Sequence, residues 1–180
     1  MEVPEPLLPA NSFEDLALPL FDQLYGFAHW LTQDASEAED LVQETYTKAL
    51  RGFSGFEVGT NFRAWIFRIL RNSFLTSRTG LKARVALEDD AAEAIASSAP
   101  TPEEVLIEQA NREMVRDGLT ELPVPYREIL LLCEVEEMSY EEIAQVLSIP
   151  LGTVMSRLHR ARKALRACLV EKLKGGPHGV

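Results

Sequence analysis

The sequence is poor in the residues that would mark a disulfide-rich or metal-binding protein. Only two of its 180 residues are cysteine, Cys133 and Cys168, and each stands alone in an apolar, helix-like context. Buried free thiols in a reducing compartment explain them more simply than a disulfide or a redox switch. The three histidines, His29, His159 and His178, are also scattered. The sequence therefore predicts neither a metal site nor a cofactor.

Long apolar runs and a targeting signal are absent as well. No eighteen consecutive apolar residues occur, so we expect no membrane span. The N-terminus, MEVPEPLLPANSFEDL, lacks the basic start of a signal peptide, which favours a cytoplasmic protein. Alternation of period two is missing over any useful length, which argues against strands. The apolar share of 46% supports packed cores, and the expectation is an all-α protein of one or two small domains.

Positive charge is scarce in the chain as a whole but concentrated in two places. The formal net charge is −10, from 18 basic and 28 acidic side chains. Residues 60–84 nevertheless hold 6 basic and no acidic side chains, and residues 151–174 hold 7 and 1. Binding to phosphates needs a local positive field, not a global one. The sequence thus predicts two basic islands in an acidic protein, whose acidic remainder suggests a second, basic partner.

The stretch from Ser139 to Arg166 has the pattern of two short helices joined by a tight turn. Ser139 and Glu142 make the sequence of a capping box, and Pro150 separates the two helices. The second helix carries an apolar stripe and, about 120° around its axis, a stripe of hydroxyls and arginines: Thr153, Ser156, Arg157 and Arg160. This pattern predicts a helix-turn-helix with the recognition helix second. Amphipathic helices with a basic face also occur in proteins that bind no nucleic acid.

Two further helices are predicted near the N-terminus. A capping box at Ser12 and Asp15 opens the first, which Pro19 kinks or restarts, and Asp34 caps the second. The second helix has an inner apolar face and an outer polar face, and composition alone favours an ordinary solvated surface for the latter. The residues of that outer face are Asp40, Gln43, Glu44, Thr47 and Arg51.

A third N-terminal helix follows a glycine-rich loop at 52–61, is capped by Asn61 or Thr60, and runs to about Arg78. Basic and aromatic residues interleave on one of its faces: Arg63, Phe67, Arg71, Phe74 and Arg78. Such a surface suits phosphates and unstacked bases. The two rings fit the core of the domain equally well. The arginines do not, because unpaired buried guanidinium groups are too costly.

Helical periodicity fades between the two halves of the chain. Residues 79–101 are rich in alanine, serine and acid, which predicts a flexible linker. We therefore expect a first domain at 1–78, a second at 102–174 and a flexible tail at 175–180. In the second domain, a helix begins at Thr101, and a short, largely buried helix at 126–133 precedes the helix-turn-helix.

Four segments of the chain resemble those of the sigma-70 family of bacterial RNA polymerase sigma factors, in particular the extracytoplasmic function (ECF) type. They are EAEDLVQETYTKAL at 37–50, NFRAWIFRILRNSF at 61–74, LPVPYREILLLCEVEEMSYEEIAQVL at 122–147 and IPLGTVMSRLHRARKALR at 149–166. One segment alone would be a weak signal, but four in the family's order and spacing are specific. The resemblance implies a three-helix region 2 domain and a helix-turn-helix region 4 domain. It also implies a promoter-specificity subunit that is not an enzyme by itself.

The resemblance further implies roles for particular residues. The outer face of the second helix would bind the β′ clamp of core RNA polymerase. The loop at 54–61 and the third helix would bind and melt the −10 element, with Trp65 in the core. The candidate residues for this element are Asn61, Arg63, Arg68, Arg71 and Asn72. The recognition helix would read the −35 element through its polar stripe, with backbone contacts from Arg162, Lys163 and Arg166.

The partners implied by the resemblance are core RNA polymerase (its β′ clamp and β flap), promoter DNA and an anti-sigma factor that could hold the protein at a membrane. Two alternatives remain at this point. A helix-turn-helix regulator that never joins polymerase would leave the segments at 37–50 and 61–74 unexplained. An enzyme that uses the carboxylates at 134–142 would lack a nucleophile, a metal cluster and a phosphate-binding loop.

Overall fold

The computed structural model describes residues 12–79 and 108–174, with side chains from residue 112 onward in the second range. These residues fall into two compact units, one within 1–83 and one within 84–180. Every secondary-structure element in the described ranges is helical. This confirms the prediction of an all-α protein with two helical domains. The predicted linker, the helix start at Thr101 and the C-terminal tail lie outside the described residues.

The described part of the first domain contains four α-helices, three of which begin at a side-chain cap. The helices are α1 (Phe13–Ala17), α2 (Phe21–Thr32), α3 (Ala35–Gly52) and α4 (Phe62–Thr79). The predicted capping box at Ser12 is present, and Pro19 lies in a 3-10 turn that separates α1 from α2. Asp34 Oδ1 accepts from the backbone N–H of Glu37 at 2.8 Å. Asn61 Oδ1 accepts from that of Ala64 at 3.0 Å, so Asn61 caps α4.

The core of the first domain lies where α2, α3 and α4 pack against one another. Phe67 is fully buried and its ring centroid lies 5.4 Å from that of Phe27, and Phe74 is only 3% exposed. Both rings therefore belong to the core, which settles the choice that the sequence left open. Arg63 and Arg78 place their guanidinium groups 5.6 and 5.4 Å from the Phe67 and Phe74 centroids, at the edge of this core.

The second domain is built from helices α5 (Glu108–Glu121), α6 (Val124–Leu130), α7 (Tyr140–Leu147) and α8 (Leu151–Lys174). The predicted capping box of Ser139 and Glu142 is present at the start of α7. Ser148 ends α7 in the left-handed conformation, at φ 54°, and Pro150 stands just before α8. Helices α7 and α8 thus form the predicted helix-turn-helix.

The short helix predicted at 126–133 is present but continues differently from the expectation. It begins at Val124, and after Leu130 the chain widens into a π turn, Leu131–Val135. The backbone N–H of Glu136 donates to Leu131 O at 2.9 Å, which is the five-residue step of π geometry. Leu131 and Leu132 are buried, whereas Cys133 is only half-buried.

Three charged residues are buried in the described part of the second domain, and their burial was not predicted for these side chains. They are Arg127, Glu128 and Glu136, which are 7%, 1% and 8% exposed. Arg127 Nε donates to Leu119 O at 2.9 Å, and Nη2 donates to the carbonyl oxygens of Thr120 and Leu122 at 2.6 and 3.0 Å. The guanidinium therefore donates to carbonyl groups at and just after the end of α5, where a helix lacks enough backbone donors of its own.

Candidate nucleic-acid interface and partner surfaces

Helix α8 has one side in the core and the other available to a ligand. Val154, Leu158 and Ala161 are buried and fix the inner side. At about 100° per residue, Ser156 and Lys163 point directly away from that buried stripe. The four residues of the predicted polar stripe all retain partial exposure: Thr153, Ser156, Arg157 and Arg160. The helix therefore does present hydroxyl and guanidinium groups to solvent.

The structure refines the order of those side chains around α8. Arg160 flanks Ser156, and its Nε lies 3.4 Å from Ser156 O. Arg157 lies about 110° from the outward direction, closer to the body of the domain. His159 flanks the outward direction on the other side and is half-buried. His159 was missing from the sequence-based candidates, although its position on the helical wheel could have identified it.

The two basic residues predicted to contact the DNA backbone differ in their surroundings. Arg162 Nη2 lies 2.7 Å from Glu134 Oε1, and Arg162 Nε lies 3.2 Å from the same oxygen. The hydrogen bond with Glu134 is the main cause that raises the pKa of Arg162 above its ordinary value. Lys163 is exposed and forms no ion pair with any residue that the structure describes. Lys163 is therefore the freer of the two cations.

The predicted −10 residues on α4 fall into two groups. Arg68 and Asn72 are exposed and lie one turn apart, with half-buried Arg71 beside them. Arg63 lies about 140° around the helix from Arg68, and its Nε donates to Gln23 Oε1 of α2 at 3.1 Å. The structure thus brings Arg68, Arg71 and Asn72 together and places Arg63 apart from them.

The loop before α4 carries an aromatic cluster. The Trp65 ring centroid lies 5.0 Å from that of Phe56 and 5.4 Å from that of Phe62. Trp65 and Phe56 are half-buried, whereas Phe62 is buried. Gly59 has φ +100°, a conformation that favours glycine. The loop therefore contacts α4 through aromatic rings and turns at Gly59.

The predicted polymerase-binding residues on α3 share one exposed face. All five are exposed: Asp40, Gln43, Glu44, Thr47 and Arg51. Gln43 and Thr47 also line a groove of 680 Å³ between α3, α2 and the 3-10 turn. The groove is mostly apolar, and its lining includes Leu18 and Phe21, which are 65% and 49% exposed. This groove was not predicted, because it is formed by three separate elements.

Tyr46 links the wall of this groove to the end of α1. Its hydroxyl donates to Ala17 O at 2.7 Å, and burial raises the pKa of Tyr46 above its ordinary value.

Within the two described ranges, no three His, Cys, Asp or Glu side chains are grouped so that they could hold a metal ion. None of the helices there is both long enough and apolar enough to cross a bilayer. Cys133 and Cys168 are free and half-buried.

Comparison with known proteins decides the family. Residues 19–84 match the model of sigma-70 region 2, and residues 112–165 match that of sigma-70 region 4. The chain belongs to the sigma-70 family. The region 2 match covers α2, α3 and α4, and the region 4 match covers the helix-turn-helix of this sigma factor.

Relatives of this sigma factor are of the ECF type, which confirms the resemblance. The ECF RNA polymerase sigma factor EcfG of Rhodopseudomonas palustris is 37% identical over 161 residues, or 88% of this chain and 86% of the relative. SigE of Mycolicibacterium smegmatis is 35% identical over 89% of this chain, which spans 62% of that relative. The solved structure of RpoE from Bartonella quintana, in complex with the anti-sigma factor NepR, matches with a TM-score of 0.66 at 31% identity. That match covers 92% of this chain and 98% of RpoE.

Proposed function

We propose that this sigma factor binds core RNA polymerase and directs transcription initiation at promoters with specific −35 and −10 elements. The observation that carries the proposal is the outward face of α8, where Ser156, Arg160 and Lys163 lie opposite a fully buried apolar stripe. A helix held in this way can enter the major groove and present its outer residues to base edges. The factor would act as a subunit of polymerase, not as an enzyme by itself.

Contacts to the −35 element divide by chemistry. Arg160 can bind guanine through two hydrogen bonds, and the hydroxyl of Ser156 can reach a base edge or a phosphate. Thr153 lies near the start of α8, where recognition helices contact DNA, and Arg157 lies on the flank. Lys163 provides a positive charge for the phosphate backbone, which positions the helix without reading sequence.

Contacts to the −10 element are proposed for the loop and α4. Arg68, Arg71 and Asn72 form the polar group that would follow the phosphates of the opened strand. The loop at 54–61 would help to receive a flipped base, whose extrusion costs a few kcal/mol. Phosphate contacts along the basic face offset that cost. Arg63, which is bonded to Gln23, would support the surface from its edge.

Binding to core polymerase is proposed for the exposed face of α3 that contains Asp40 and Glu44. Acidic side chains there complement a basic surface on the partner, and such matching favours correct docking. The proposed contacts on polymerase are the β′ clamp and, for the second domain, the β flap. An anti-sigma partner is supported by the relative RpoE, which was solved with NepR. A protein with these partners would act in the cytoplasm. The domain bounds, 1–78 and 102–174 with a linker at 79–101, stay predictions.

In vitro transcription with bacterial core polymerase tests the function. The promoter is first identified by mapping transcript starts after overexpression of the factor. Adding the factor to core enzyme should then start transcripts at that promoter and at no control template. No stimulation would refute the function. Tight binding to duplex DNA without core polymerase would instead support the helix-turn-helix regulator.

Two pairs of variants separate the proposed surfaces. Asp40→Arg should weaken binding to core polymerase in the absence of DNA, whereas Glu57→Arg, an equal charge change on an exposed loop, should not. Arg160→Ala should weaken binding to the correct −35 sequence by about 1–3 kcal/mol. An equal loss on random DNA would reassign Arg160 to phosphate binding.

A further inference from the structure

Arg162 lies on the flank of α8 and donates hydrogen bonds to another element of its own domain. At about 100° per residue, it is about 120° away from Ser156 around the helix. Its Nη2 lies 2.7 Å from Glu134 Oε1 and 3.6 Å from Cys133 Sγ. Both partners precede it by 28 or 29 residues and lie in the π turn. The hydrogen bond therefore joins the recognition helix to a separate element of the fold.

The π turn gives Arg162 these partners. Leu131 and Leu132 are buried, whereas Cys133 and Glu134, which follow them, contact Arg162. Tyr140, at the start of α7, adds to the effect of Glu134 in raising the pKa of Arg162. Three elements of the domain therefore meet at one guanidinium group.

The place of this pair along α8 gives it an effect on rotation. Ala161 is the last fully buried residue of α8, and beyond it the helix contacts α5 through half-buried Leu165 and Leu169 and through the ion pair of Lys172 with Glu121. The pair of Arg162 with Glu134 adds a contact with the π turn between Ala161 and these contacts, and so further limits rotation of the helix about its axis. Base contacts tolerate only about 10–20° of misalignment. A small rotation would be enough to misdirect Arg160.

We propose that Arg162 is a positioning residue that acts with Glu134 to aim Ser156 and Arg160 at the −35 element, and that it does not contact phosphate. If Arg162 reached for a phosphate, Glu134 would lie close to the same negative charge and oppose the contact. Lys163, one residue on and unpaired among the described residues, takes the phosphate. The proposal rests on the proposed promoter-binding function.

The test uses holoenzyme reconstituted from bacterial core polymerase and the full chain. A promoter with a randomised −35 element is first subjected to selection with the wild-type factor. Affinity is then measured for the selected promoter and for one with a scrambled −35 element, over a range of salt concentrations. The ratio of the two affinities reports base reading, and the salt dependence reports phosphate contacts.

We expect Arg162→Ala and Glu134→Gln each to lower the specificity ratio by about five-fold. This is the smallest discrimination between bases that one bidentate contact provides. The charge swap Arg162→Glu with Glu134→Arg should restore the ratio. Neither single variant should change the salt slope. As the matched control, Lys163→Ala should weaken binding to both promoters equally and lower the slope of the salt dependence by about 0.9.

Several results would overturn the proposal. An equal loss on both promoters with a smaller salt slope in Arg162→Ala would make Arg162 a phosphate contact. Stronger binding by Glu134→Gln to both promoters would make Glu134 only a nearby negative charge. Arg162 and Glu134 are 48% and 55% exposed, so the domain should stay folded without the pair. Thermal denaturation followed by circular dichroism checks that each variant is folded. If the wild-type holoenzyme selected no sequence at all, the proposed function itself would be wrong.

Discussion

Replacement of Arg127 tests how the second domain is held together. This side chain is 7% exposed and donates to Leu119 O, Thr120 O and Leu122 O at distances of 2.6–3.0 Å. Arg127→Met keeps the length of the apolar stem and removes every donor. Leu119 O still accepts from the backbone N–H of Leu122 at 3.2 Å in the variant. A buried acceptor without a donor costs about 1–3 kcal/mol, so simple addition over the two other carbonyl groups gives about 2–6 kcal/mol.

Two effects reduce that sum. Thr120 is only half-buried, so water can reach its carbonyl group in the variant. Burial also lowers the pKa of Arg127, which means that the charged form carries a desolvation cost that the variant avoids. We expect a loss of about 1–3 kcal/mol in the free energy of unfolding, mainly from the buried carbonyl group of Leu122. Arg127→Lys should lose less, because an ammonium group can still donate to one or two of the carbonyl groups.

The two tryptophans make the assay specific for one domain. Trp30 and Trp65 both lie in the first domain, so tryptophan fluorescence follows its unfolding, whereas far-ultraviolet circular dichroism follows both domains. In Arg127→Met, the denaturant midpoint measured by fluorescence should stay constant, and a transition seen by circular dichroism should move to lower denaturant concentration. A shift worth less than about 1 kcal/mol would refute the reasoning about the carbonyl groups. An equal shift in fluorescence would refute independent unfolding of the domains.

Three further predictions follow from single residues. Because burial raises the pKa of Tyr46, the folded state keeps the phenol proton more firmly than the unfolded state. This contribution to stability is complete below about pH 10 and is lost as the pH rises further. Denaturation followed by fluorescence should therefore show a smaller loss of stability at alkaline pH in Tyr46→Phe than in the wild type. At neutral pH the variant should be about 1 kcal/mol less stable than the wild type, because it lacks one hydrogen bond. Glu137 has φ 51°, so Glu137→Gly should stabilise the second domain by about 0.5–1 kcal/mol in thermal denaturation, whereas Glu137→Ala, which keeps the β-carbon, should not. Burial, and then Glu134, raise the pKa of the Cys133 thiol. Iodoacetamide should therefore modify Cys133 more slowly in the folded protein than after unfolding, and faster in folded Glu134→Gln than in the folded wild type. Mass spectrometry of the digested chain measures these rates. Faster modification in the folded state would contradict the assigned environment.

Features that depend on a few neighbouring residues could be predicted from the sequence. The caps at Ser12, Asp34, Asn61 and Ser139 each involve a side chain and a backbone group three residues further on. The residue types and their spacing therefore contain the whole interaction. The break at Pro19 is similar, because proline lacks the N–H that a continuous helix requires. For this reason the order and type of the helices were predictable.

Features that depend on distant residues could not be predicted in this way. Periodicity identified a mixed face on α4 but not the fate of Phe67 and Phe74, because two neighbouring helices, α2 and α3, cover a wider arc of α4 than one stripe. The burial of Arg127 needs the end of α5 to fold back over it, and the pairing of Arg162 needs the π turn. Pattern alone showed that these residues are basic and lie on helices, and basic residues on helices are usually solvated.

The functional surfaces fall between these two cases. The exposure of Asp40 and Glu44 followed from the amphipathic pattern of α3, and so did the outward direction of Ser156 on α8. The separation of Arg63 from Arg68 did not follow, since the hydrogen bond that holds Arg63 comes from Gln23 on another helix. A single helix determines which way a side chain points, whereas its neighbours determine whether that side chain is available to a ligand.

The π turn Leu131–Val135 makes the number of residues in this segment as important as their identity. A π turn holds one more residue than an α-helix of the same length, and one residue corresponds to about 100° of helical rotation. Deletion of a single residue would allow the segment to close into an α-helix and would turn Glu134 away from Arg162. A relative that is one residue shorter here would have to carry its carboxylate one position away to reach the same guanidinium. Alignments across this segment should therefore allow a one-residue gap before Glu134 is compared between relatives.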